Sequence, residues 1–221
     1  MKTTHKPLDK KRITIFRQNL LRWFWQHGRT FPWRQTRDPY RVLLAEMLLQ
    51  KTNVAKVLPV YKQLVAQYPT VQNLAKANTT DLKIIIRPLG LLYRAHRLKK
   101  MAQGVVTKHD GMFPNTPKEL HNLYGVGDYM TNAVLSFAYE QPRPIVDTNV
   151  IRVFDRFFGV KSRKPRARTD QMLWQTVGQT VPPKRAREFN LAILDLSALV
   201  CTAREPQCAV CPLKKTCLYY K

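Results

Sequence analysis

Cysteine is absent from the first 200 residues of this 221-residue chain, and acidic side chains are scarce, 14 Asp and Glu against 38 Lys and Arg. No apolar run approaches the ~18 residues of a membrane-spanning helix, so no helical span and no membrane partner are expected. The basic start, MKTTHKPLDKKRITIF, lacks an apolar h-region and a small-residue cleavage site, so a secretory signal is not expected either. Pairs of alternating apolar runs joined by an Asn-Gly type turn, the mark of a β-hairpin, are missing too. What is present is ordinary for a globular chain, 44% hydrophobic and 10% aromatic residues, so the +24 net charge is not a sign of disorder. The length suits one large domain or two small ones. The charge divides as +17 over residues 1–110 and +7 over 111–221, so it is not confined to a tail. A polyanionic partner follows, nucleic acid before an anionic membrane.

Helix signals recur along the whole chain and predict an all-α fold. Asp9 caps an amphipathic run to Gln26, with Gly28 at the C′ position. Asp38-Pro39 reads as N-cap and first helical residue of a helix to Leu49. Val54 to Gln67 has the 3.6-residue period. Thr70, Thr79 and Thr116 stand where short helices are capped, and Leu92 to Lys108 is a longer basic helix. Thr131–Tyr139, Thr148–Phe158, Asp170–Gln179 and Lys184–Val200 complete the set. The stretch KSRKPRAR, residues 161–168, is a basic loop, read equally as a solvated connection or a phosphate-facing strip.

The cysteines fall together at Cys201, Cys208, Cys211 and Cys217, spaced C-x6-C-x2-C-x5-C. Two disulfides are one reading, but the rest of the chain has no cysteine and no export signal. Four thiolates in one loop can hold a tetrahedral zinc or an iron–sulfur cubane. The single C-x2-C unit, where zinc knuckles favour two, leans towards the cubane. Lys214 and Lys215 inside the last interval would hold cations towards a phosphate backbone.

The chemistry-bearing stretch is KELHNLYGVGDYMTNAVLSFA, residues 118–138. Gly125 and Gly127 around Val126 allow a sharp turn between two helices and expose amides at a helix N-terminus, where a phosphate oxygen is accepted. Downstream, in Pro144-Ile145-Val146-Asp147-Thr148-Asn149, Asp147 sits at the N-cap of the next helix. A carboxylate there serves as a cap. It can also stabilise positive charge on a sugar, or attack it.

Together the GVG hairpin, the VDTN aspartate and the cysteine spacing resemble the endonuclease III/MutY (HhH-GPD) superfamily of DNA glycosylases, from Phe31-Pro32-Trp33-Arg34 to Cys217. The resemblance implies a helix-hairpin-helix glycosylase fold. A six-helix barrel domain would span 30–137, and a second domain, 1–29 with 138–221, would end in the iron–sulfur loop 201–217, with the active site in a cleft between the two. It implies a 4Fe–4S cluster on Cys201, Cys208, Cys211 and Cys217, with Asp147 as the catalytic aspartate. Glu46, in Ala45-Glu46-Met47-Leu48-Leu49-Gln50, takes the acidic position that assists base departure. Tyr129 occupies the slot where bifunctional members carry a Schiff-base lysine, which implies a monofunctional, hydrolytic enzyme. Gly125, Val126 and Gly127 would grip a phosphate through their amides. Lys51 replaces a glutamine expected to enter the duplex, and Asn149 would hold Asp147.

The partner so implied is double-stranded DNA with a mismatched or damaged base, flipped out for hydrolysis. A monomer in a prokaryotic-type, nucleoid-associated cytoplasm is expected. Leu49-Gln50-Lys51-Thr52 and Pro88-Leu89-Gly90-Leu91-Leu92 depart from the MutY patterns LQQT and GLGYY. The chain also stops four residues after Cys217, so a further domain that reads 8-oxoguanine is not expected. Thr36-Arg37-Asp38-Pro39-Tyr40, Tyr129 and the segment Glu188-Phe189-Asn190-Leu191 to Asp195-Leu196-Ser197-Ala198 are similar to short Mig-type mismatch glycosylases. The expected base is thymine or uracil opposite guanine. Adenine is the alternative, and a non-catalytic iron–sulfur DNA-binding protein is the third reading.

Overall fold

The computed structural model describes residues 8–220; the first seven residues of the basic start, on which the expectation about a secretory signal partly rests, lie outside the described residues. Among them are eleven α-helices, several 3₁₀ turns and no β-strand. No helix among the described residues is long and apolar enough to cross a membrane. The chain divides into two units. One comprises Thr30–Tyr139; the other takes the chain up to Arg29 and again from Glu140. The division falls two residues beyond the expected 137/138 boundary. Tyr139 stays with the first unit because its hydroxyl donates to the Phe113 carbonyl at 2.8 Å.

The unit Thr30–Tyr139 holds α2 (Pro39–Leu49), α3 (Val54–Gln67), α4 (Val71–Lys76), α5 (Thr79–Ile86), α6 (Tyr93–His109), α7 (Pro117–His121) and α8 (Asp128–Phe137). Its centre is α2, which starts where Asp38 accepts from the Tyr40 N–H and Pro39 fixes the first φ. Every α2 residue from Val42 to Leu48 is buried, so this helix has no solvent face. Its neighbours show one apolar stripe each, as on α3 with Val57, Val60, Tyr61 and Leu64. Asn78, not Thr79, caps α5 by accepting from the Thr80 N–H; Thr79 is already helical.

The second unit holds α1 (Lys10–His27), α9 (Thr148–Phe158), α10 (Gln171–Thr180), α11 (Ala186–Leu199) and the cysteine loop. Its core is an aromatic cluster: the Phe16 ring lies 5.8, 4.8 and 5.1 Å from those of Phe154, Phe157 and Phe158, and 6.0 Å from that of Phe189. Buried edge-to-face rings add about 0.5–1.5 kcal/mol per pair beyond their area. Asp195, fully buried on α11, takes the Arg29 backbone N–H and guanidinium at 2.7–2.8 Å and so pins the end of α1. Gly28 is extended, not left-handed as its C′ position predicts. A Cβ there would lie 2.6 Å from the Phe24 carbonyl oxygen and 2.7 Å from its ring, so close approach, not positive φ, requires glycine. The basic loop 161–168 is pinned by Asp170. That side chain accepts from the Ser162 hydroxyl and the Arg163 N–H and caps α10 through the Met172 N–H.

Candidate functional site

In the unit Thr30–Tyr139 the candidate residues lie on α2, on the turn after it and around the α7–α8 hairpin. Thr116 caps α7, the chain turns through Gly125, and Gly127 begins α8 with no side-chain cap. Thus α8 starts at Asp128, three residues before the expected Thr131. Gly125 needs its residue type, with φ at +77°. Gly127 has an ordinary φ, and a Cβ added there would meet nothing within 4 Å. Open space beside an uncapped helix start suits close approach of a ligand to the backbone. Val126 departs from its expected role. Its side chain is buried and its N–H donates to the Leu123 carbonyl at 3.0 Å, so it anchors the turn and offers no outward donor.

Tyr129 stands in the first turn of α8, half-buried. Glu46 is 7% exposed in the middle of α2. It is therefore not the solvated carboxylate of an ordinary helix face. Lys51 is exposed just beyond α2 in the left-handed region, φ +55°.

In the other unit Asp147 caps α9. Its Oδ1 accepts from the Asn149 and Val150 N–H groups at 2.9 and 2.7 Å, and its Oδ2 accepts from Asn149 Nδ2 at 2.9 Å. Both oxygens are thus held, and Asn149 orients Asp147 as the sequence suggests. Asn149 Oδ1 in turn accepts from Arg152 at 3.0 Å. The same guanidinium donates to the carbonyls of Cys201 and Ser197, each at 2.9 Å. The hydrogen-bonded line therefore runs from the aspartate to the first cysteine.

All four cysteines are unbridged and line one small pocket with Val200, Arg156, Lys214, Tyr219 and Tyr220. Among the described residues no disulfide forms, and no group of three or more His, Cys, Asp or Glu is drawn tightly enough to hold a metal ion. Arg156 donates to Cys201 Sγ at 3.5 Å and to the carbonyls of Thr202 and Ala203 at 2.6 and 3.0 Å. The Cys217 thiol donates back to the Arg156 carbonyl at 3.4 Å. Burial, with the neighbouring thiols, pushes the Cys211 thiol up to about 11, and Cys208 moves in the same direction.

Sequence reasoning missed the arginines that brace the elements within each unit. Arg94, 2% exposed, donates to the Leu48 carbonyl and Thr52 Oγ1, each at 2.8 Å, and to the Gln50 carbonyl. It thereby serves the unpaired carbonyls at the C-terminus of α2. Burial lowers its pKa from the ordinary arginine value. The available signal was spacing: Asn149, Arg152 and Arg156 recur at helical intervals opposite Val150, Val153, Phe154 and Phe157.

A helix-hairpin-helix, a capped aspartate beyond it and a four-cysteine loop define a DNA-repair class. Residues 44–179 match the family model of the HhH-GPD superfamily of base excision DNA repair proteins, and the chain belongs to that superfamily. Within it, the chain is 41% identical over 217 residues to the thymine-DNA glycosylase of Aeropyrum pernix, covering 96% of this chain and 97% of that one. It is also 41% identical over 213 residues to the thymine/uracil-DNA glycosylase of Pyrobaculum aerophilum, covering 94% and 93%. The solved structure of a thermostable thymine-DNA glycosylase matches with a TM-score of 0.89 at 34% identity, over 95% of this chain and 97% of that one. The all-α fold and the family expected from the motifs both hold.

Proposed function

We propose that this chain is a monofunctional DNA N-glycosylase that flips thymine or uracil paired with guanine out of duplex DNA and hydrolyses its N-glycosidic bond. The observation that carries the reading is Asp147, whose carboxylate is fixed by two backbone amides and Asn149. A carboxylate held in advance stabilises the oxocarbenium-like sugar without reorganising as the bond breaks. Glu46 donates a proton or orients the attacking water, and Tyr129 packs against the sugar or base. Tyr129 has no amine, so water and not an imine-forming nucleophile takes the sugar carbon as the base leaves, and an abasic sugar remains in the strand. Removal of the two pyrimidines is supported by the names of the relatives that cover almost the whole chain. Lys51 and Leu91-Leu92, which depart from the adenine-type motifs, support it as well.

The same reading includes a 4Fe–4S cluster on Cys201, Cys208, Cys211 and Cys217. Supporting it, four unbridged thiols share one pocket beside the cations Arg156 and Lys214. Burial and crowding oppose ionisation of Cys208 and Cys211, a bias that bound metal reverses. The cluster would cross-link the loop and fix its lysines. A brown protein with four irons agrees with the assignment; a colourless one carrying zinc overturns it.

The activity test uses duplexes with T:G, U:G, A:G and A:8-oxoguanine pairs, each analysed with and without alkali. Strand breaks at T:G and U:G that require alkali are expected. Adenine release would instead support the alternative specificity, and breaks without alkali would overturn the monofunctional assignment.

A further inference from the structure

Arg94 and Arg97 stand one turn apart on α6 and both reach Gln50, in the turn after α2. Arg94 holds its backbone carbonyl. Arg97 holds its side chain, with NH1 donating to Gln50 Oε1 at 3.1 Å. The other arm of Arg97 crosses to the hairpin, with NH2 donating to the Gly125 carbonyl at 2.7 Å. The hairpin makes room for it. A Cβ on Gly125 would lie 2.6 Å from Arg97 Nε, so this glycine serves a left-handed turn and the seat of a guanidinium at once. Lys51, next to the clamped Gln50, is exposed at φ +55°. Two segments 75 positions apart, Gln50 and Gly125, thus share one planar cation.

We propose that Arg97 is a positioning residue that locks the hairpin to the Gln50–Lys51 turn, so that seating a phosphate on the hairpin and inserting Lys51 into the base stack are one coupled event. The proposal rests on the glycosylase reading above. Arg97 directs its two hydrogen bonds at protein acceptors, so its contribution is geometric before it is electrostatic. A guanidinium spans two acceptors with a rigid fork; an ammonium on a flexible stem keeps the charge and loses the span. Coupling of this kind appears as non-additivity between Arg97 and Lys51.

The test uses the full chain, T:G duplexes with 2-aminopurine beside the mismatch, and fully paired duplex as control. Variants are Arg97→Ala, Arg97→Lys, Lys51→Ala and the Arg97→Ala/Lys51→Ala pair. Gln50→Leu removes one acceptor while leaving Arg97 and the hairpin intact. Arg97→Ala and Gln50→Leu are expected to lower the single-turnover rate and the fluorescence rise by about 10- to 100-fold, the upper end being the scale of a group misplaced by about 1 Å. Affinity for fully paired duplex should change by less than about twofold, since phosphate contacts remain. Arg97→Lys should not restore the rate, and Arg97→Ala should add little once Lys51 is alanine. Rescue by lysine, or losses that multiply in the double variant, would overturn the coupling and leave Arg97 a simple cation. A wild-type protein that releases no base from any mismatched duplex would overturn the glycosylase reading itself, and the coupling with it.

Discussion

At the scale of single residues, the site depends on side chains whose neighbours leave them little choice of position. Asp147 is the clearest: replacing it with asparagine keeps a favoured N-cap residue, so folding should change by less than about 1 kcal/mol. Base release should fall by about 100-fold or more, because the negative charge facing the sugar is lost. Single-turnover assays and duplex binding measured on one preparation separate the two effects; equal loss of both would refute the catalytic role. Tyr129→Lys tests the neighbouring assignment. An amine in the first turn of α8 should give some strand cleavage, trapped as a covalent adduct by borohydride. No adduct at all would mean that residue 129 does not face the sugar.

Elements were legible in the sequence to different degrees, for physical reasons. Both limits of α9, Thr148 and Phe158, agree with expectation, because Asp147 caps one end and Gly159, at φ +72°, stops the other. The start of α8 was missed by three residues because Gly127 opens it with no side-chain cap to read. Spacing on α9 marks Arg152 and Arg156 as a polar face, but the partners of the arginine ties were illegible for a different reason. Gln50, Gly125 and Cys201 accept from guanidiniums through backbone or amide oxygens that leave no mark in residue type or period. The Asp170 element carries a pH prediction. Burial favours its neutral form, yet the bonds from Arg163, Ser162 and Met172, with Lys164 nearby, outweigh it, and the pKa lies below the ordinary 3.8. A lowered folded-state value means the stabilisation is complete above the unfolded carboxylate's ~3.9 and fades as pH falls towards the folded value. Asp170→Ala should cost about 1–3 kcal/mol near neutral pH through the lost cap and loop bonds. That difference should shrink in melting curves taken below about pH 4, as the wild-type carboxylate begins to protonate.

For the whole molecule, the +24 charge is a less direct guide to DNA affinity than it looks. Arg17 donates to the carbonyls of Gln179, Thr180 and Val181, and Arg12 to those of Phe157 and Thr216. With Arg94, Arg152 and Arg156 turned to carbonyls in the same way, at least five of the 38 basic side chains brace the fold. The slope of log affinity against log salt counts neutralised phosphates at about 0.9 each. It should therefore correspond to fewer contacts than the net charge, and should be similar for mismatched and fully paired duplexes. A slope approaching the full charge would show that these guanidiniums leave their carbonyls on binding.

The left-handed backbone at Lys51 has a consequence for how this protein could be improved or evolve. A non-glycine residue there costs about 1–2 kcal/mol relative to ordinary backbone, and Arg94 holds the turn that imposes it. Lys51→Gly should relieve the strain and raise the melting temperature while slowing base release. Screens that reward thermal resistance alone would then select this substitution and return a sturdier, poorer enzyme. A Lys51→Gly protein that melts lower than the parent would show that the turn is relaxed as it stands.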